Sequence, residues 1–80
     1  MNITKTTTPM PEAVLVQMCE LDERSNDYAP FSRERQIVND LIEQVGAGYD
    51  CETVVSDPSM DADMVRAECH KMVNEAIQAA

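Results

Sequence analysis

The stretch YDCETVVS, residues 49–56, decides the fold class of this chain. Its Thr, Val and Cys content is wrong for a helix, so it is either a short strand or an extended connector. A strand needs a partner, and no second strand pattern stands out among the 80 residues. The connector reading follows, and with it an all-α fold.

Working backwards, Gly46-Ala47-Gly48 provides a left-handed helix stop. Before it, Ile37, Val38, Leu41, Ile42 and Val45 recur at spacings of three and four, the pattern of an amphipathic helix. Ser32 is its expected N-cap, and Phe31 is expected to pack back onto its apolar face. SNDYAP (25–30) is a turn signal. Upstream, Val14, Met18 and Leu21 form a stripe widened by Leu15, Val16 and Cys19, with Glu12, Gln17, Glu20 and Arg24 turned away. Thr8, followed by Pro9 and Pro11, reads as the cap and first turn of that helix.

Working forwards, Asp57-Pro58-Ser59 opens a third helix capped by Asp57 or Ser59. Its buried side is marked by Met60, Met64 or Val65, Cys69, Met72, Val73, Ala76 and Ile77. Asp63–Arg66 and Glu68–Lys71 are expected i,i+3 ion pairs. The expectation is an all-α bundle with helices over 9–24, 32–46 and 58–78. Residues 9–80 make one domain behind a flexible tail, 1–8. The broad stripes and scarce aromatics leave apolar surface over, so a homodimer through the first or third helix is expected to compete with a closed monomer.

Fifteen acidic side chains stand against six basic ones, a net charge of −9. Between Asp50 and Asp63 there are five acids and no base. Direct binding to nucleic acid or to an anionic membrane is disfavoured, because phosphates require clustered Lys and Arg. A basic protein partner is favoured instead. The opening residues hold no apolar run of the signal-peptide kind, and no stretch approaches a membrane span. Three cysteines, an odd number, read as reduced thiols in a cytoplasmic setting.

DPSMDADMVRAE (57–68) resembles the ligand spacing of a helix-loop-helix calcium site, with Asp57, Ser59, Asp61, Asp63 and Glu68 at the ligand positions. Ala62 stands where that loop needs glycine, Pro58 falls between the first ligands, and no entering helix precedes it. An acidic helix start accounts for the same residues, since Asp61 and Asp63 complement the positive helix end. Asp57-Pro58-Ser59-Met60-Asp61 also resembles the Asp-Ser-Leu attachment motif of acyl carrier proteins. That serine opens a second helix near mid-chain, whereas Ser59 lies near the end and Pro58 splits the Asp–Ser pair. Cys51, Cys69 and His70 lack metal-site spacing, and Cys19 and Cys69 fall on apolar stripes as small core residues. No metal, cofactor or catalytic residue is assigned, and enzyme activity is not expected.

The functional expectation is a non-enzymatic module that uses acidic side chains against a basic, nucleic-acid-binding protein. Asp50, Glu52, Asp57, Asp61, Asp63, Glu68 and Glu75 are its candidate contacts. In size and charge the chain resembles small phage-encoded anti-defence proteins, anti-CRISPR proteins among them, which implies an inhibitor standing in for nucleic acid. The alternative is a structural or regulatory adaptor that binds through an apolar helical groove or by self-association. Replacing Asp61 and Asp63 by lysine is expected to weaken partner binding and leave helicity intact.

Overall fold

A computed structural model describes residues 8–80, so the expected tail lies outside the described residues except for Thr8. The order of elements is β1 (Thr8–Pro11), α1 (Glu12–Ser25), α2 (Arg33–Gly46), β2 (Tyr49–Val55) and α3 (Ala62–Ala79). The expected all-α bundle is corrected by the two strands. Residues 49–55 do find a partner, in Thr8–Pro11, and the fold is mixed α/β. Thr8 therefore belongs to a strand rather than to a tail or a helix cap.

β1 and β2 pair in parallel, with α1 and α2 forming the crossover that parallel strands require. Thr8 lies opposite Tyr49 and Pro9 opposite Asp50, but Met10 lies opposite Val54 and Pro11 opposite Val55. Cys51, Glu52 and Thr53 are thus extra residues on β2. Asp50 holds this bulge, its carboxylate accepting from the Glu52 N–H at 3.0 Å and from the Thr53 hydroxyl at 3.1 Å. The Thr8 N–H donates to the Gly48 carbonyl, towards β2. N–H groups alternate between strand edges, so the nitrogens of Pro9 and Pro11 fall on the outer edge, where a missing donor breaks no bond. The same prolines keep a further strand from pairing there.

α1 touches every other element. It starts at Glu12, later than expected, because Pro9 and Pro11 are spent on the strand. Pro11 takes the N-cap position without a side-chain cap. α2 is capped by Ser32, whose hydroxyl accepts from the Arg35 N–H at 3.2 Å. It runs through Gly46, and the chain turns with Gly48 at φ +82. α3 starts at Ala62 rather than at 58. Its cap is Asp61, not Asp57 or Ser59, and the Asp61 carboxylate accepts from the N–H groups of Asp63 and Met64.

Leu21, Val38, Cys69 and Val73 form the buried centre where the three helices meet. A fully buried aliphatic side chain of this size contributes about 1.5–3 kcal/mol. Met10 is buried apart from this cluster. Val65 rather than Met64 turns inward on α3, and Met64 remains 65% exposed. Two more expectations fail. Cys19 is exposed, and Phe31, expected against α2, is fully exposed at 105%. No helix among the described residues is long and apolar enough to cross a membrane.

Candidate functional site

The seven candidate carboxylates follow the chain from β2 to the end of α3, but they differ in what holds them. Asp50 is half-buried and committed to the β2 bulge. Asp57 lies in the connector, where its Oδ1 accepts from the Ser59 hydroxyl at 2.6 Å and the Ser59 N–H at 3.0 Å. Those two bonds, the hydroxyl's first, hold the Asp57 carboxyl below the ordinary aspartate range. Asp61 caps α3, and Asp63 pairs with Arg66 at 3.5 Å. Four of the seven are therefore engaged locally, Asp57 and Asp61 of them in the β2–α3 connection itself.

Glu52, Glu68 and Glu75 are exposed, and their side chains make no hydrogen bond or ion pair among the described residues. The expected Glu68–Lys71 pair is not formed within bonding distance. Asp61, Glu68 and Glu75 are seven residues apart. That spacing sets them about 10.5 Å apart along one slowly drifting stripe of α3. Lys71 stands beside this stripe. No three of the described His, Cys, Asp or Glu side chains converge as a metal cage. The connector carboxylates turn towards their own backbone, as a helix start requires.

The opposite flank of α3 faces α1. Counting about 100° per residue, Arg66 and His70 lie about 160–200° round the axis from Glu68. They meet Glu20, whose side chain is only 12% exposed, rather than turned outward as its sequence position implied. His70 Nε2 lies 3.3 Å from Glu20 Oε1, Arg66 Nε lies 3.8 Å from Oε2, and Arg24 Nε lies 3.9 Å from Oε1. Arg24 also reaches His70 Nε2. That nitrogen accepts from Arg24 only when unprotonated and donates to Glu20 only when protonated. Arg24 and Arg66 are thus engaged internally, with Asp27 and Asp63 as further partners. Beneath them the buried Cys69 thiol reaches the Gln17 carbonyl, and burial first, then Glu20 and Glu68, pushes its pKa up.

A second surface was not singled out by the sequence. Ala29, Pro30, Phe31 and Ser32 form a turn closed by the Ser32 N–H donating to the Ala29 carbonyl at 3.1 Å. Phe31 sits at its third position with φ +66, and it is the one non-glycine residue with positive φ among those described. Proline second and positive φ third is the type II pattern, in which the third place ordinarily favours glycine. Beside the turn lies a cleft of about 600 Å³ lined by Pro30, Phe31, Ser32, Arg35, Gln36 and Asn39. The sequence signal for it was Pro30 ahead of the Ser32 cap. No family model, characterised protein or solved structure matches the chain.

Proposed function

We propose that this chain is a non-enzymatic protein-binding module whose acidic ribbon, from β2 along α3, occupies a basic nucleic-acid-binding surface of a partner protein. The observation that carries the reading is the state of Glu52, Glu68 and Glu75. They are exposed charges with no internal partner, on a chain that carries −9. Asp57, Asp61 and Asp63 add charge to the same ribbon from positions fixed by local hydrogen bonds and by the Arg66 pair. Fixed carboxylates cost less to order on binding than free ones. Complementary charge of this kind speeds association and selects partners more than it adds affinity. The activity is that of an inhibitor standing in for nucleic acid, the role the class of phage anti-defence proteins suggests.

The lysine exchange at Asp61 and Asp63 is a poor test, because Asp61 caps α3 and its loss weakens the helix itself. Glu52→Gln, Glu68→Gln and Glu75→Gln remove charge without removing a structural bond. The tagged protein is incubated with nuclease-treated lysate, eluted by rising salt, and the eluted protein is tested for nucleic-acid binding with and without this chain. The expected result is a basic protein released by moderate salt, blocked from nucleic acid by the native chain and not by the triple variant. A partner that resists salt, or one held equally by the triple variant, overturns the reading in favour of apolar adaptor binding.

A further inference from the structure

The acidic ribbon makes no use of Glu20, Arg24, Arg66 and His70, which close the seam between α1 and α3. Glu20 is the acceptor at their centre, and its side chain is so nearly buried that it relies on these partners rather than on water. Two groups of α1 reach His70 Nε2, the Glu20 carboxylate at 3.3 Å and the Arg24 guanidinium. Glu23 lines the same small cleft as Glu20 and Arg66. On α3, the residues one turn from His70 are Arg66, Ala67, Val73 and Asn74, so Arg66 is the charge beside it. Glu68 lies about 200° round that helix and Lys71 about 100°. Asp27 stands behind Arg24 at 3.7 Å, and Asp63 behind Arg66 at 3.5 Å. Among the described residues no charged group of α2, β1 or β2 comes within bonding distance of the ring.

The two contacts of Nε2 make opposite demands. A proton there serves Glu20 but sets the ring N–H against the donors of Arg24. Without that proton Nε2 accepts from Arg24, and its lone pair faces the Glu20 oxygen. Both contacts cannot be hydrogen bonds at once. Each charge has a second partner, however: Glu20 has Arg66 at 3.8 Å, and Arg24 has Asp27. Two arrangements therefore leave no charge unpaired, as a switch between two states requires. We propose that His70 is a proton-operated switch in the seam between α1 and α3. In the neutral ring the proton is on Nδ1, Nε2 accepts from Arg24, and Glu20 is left to Arg66. Uptake of a proton from water at Nε2 makes that nitrogen a donor to Glu20 and drives Arg24 over to Asp27. The Asp27 side chain is 63% exposed in the turn after α1, so a guanidinium moves out of the seam towards solvent. Histidine is the side chain that ordinarily changes charge between about pH 5 and 8, so the ring, and neither Glu20 nor the arginines, operates the exchange. The seam is separate from the acidic ribbon, and the two stand or fall independently.

The test is NMR of the isotope-labelled full chain, followed across the range in which imidazole titrates. At the high end of that range the ring nitrogen shifts should show Nδ1 protonated and Nε2 bare. The Arg24 guanidinium signal should move with the same midpoint as the His70 ring, and His70→Gln should abolish that movement. Glu20→Gln should shift the transition to lower pH, because the cation loses its charged acceptor. Arg24→Gln should shift it to higher pH, because a neighbouring cation is gone. Circular dichroism on each variant confirms that the fold persists, and the tautomer and Arg24 readouts are made on the native chain whether or not a variant folds. A proton on Nε2 at high pH, an Arg24 signal that ignores the His70 transition, or one midpoint shared by the native, Glu20→Gln and Arg24→Gln chains each overturns the proposal.

Discussion

Consider the exchange of Phe31 for glycine and its effect on folding alone. The left-handed backbone conformation at φ +66 costs a residue with a Cβ about 1–2 kcal/mol. Glycine adopts it freely, but its greater freedom in the unfolded chain returns about 0.5–1 kcal/mol. Truncating the side chain removes no burial, because the ring is fully exposed. The balance is a gain of about 0.5–1 kcal/mol, equivalent in a domain of this size to about 2–8 °C in Tm. Urea titration followed by far-UV circular dichroism measures it, with Phe31→Ala as the control that keeps the Cβ and should be close to neutral. Loss of about 1 kcal/mol or more in the glycine variant would refute the reasoning, since it would mean that the ring packs on the fold.

Three further outcomes are expected. Asp61→Ala removes the acceptor for two N–H groups at the start of α3 and should cost about 1 kcal/mol in the same titration; an unchanged midpoint would remove Asp61 from the cap. Asp57 contributes stability above the ordinary aspartate range that is lost as pH falls through its lower folded value, because the Ser59 donors bond the charged carboxylate more strongly than the neutral acid. An NMR titration of Ser59→Ala should show the Asp57 midpoint moved up, and an unmoved midpoint would exclude the hydroxyl as the cause. Thiol labelling of the native chain should modify Cys19 and Cys51 quickly and Cys69 only on unfolding; rapid labelling of all three would contradict the α1–α3 packing.

α2 was readable almost to the residue, because its apolar spacing, Ser32 and the Gly46–Gly48 stop agree with one another. The seven carboxylates were also readable as a charge pattern, yet their division was not. Asp50 spends its oxygens on a bulge that exists only because β2 is paired, and Asp61 spends its own on a helix start that moved from residue 58 to 62. Glu20 was placed on the outer face of α1, correctly by periodicity within one helix. Where α3 comes to rest against that face was not a property of α1, and Arg66 and His70 arrive from there.

By itself the sequence determined the three amphipathic segments, the turn at 25–30, the acidity between residues 50 and 63 and the absence of metal-site spacing. These follow from side-chain periodicity and local turn and cap chemistry, which act within a few residues. Only the tertiary structure decided that Thr8–Pro11 and Tyr49–Val55 are strands. A four-residue strand with two prolines carries no strand signal of its own, and its partner lies two helices away. The pairing exists because α1 and α2 fold back and bring the Thr8 N–H to the Gly48 carbonyl. The same holds for Phe31: an apolar residue before a helix cap reads as core, and the turn at Pro30 turns it out to solvent.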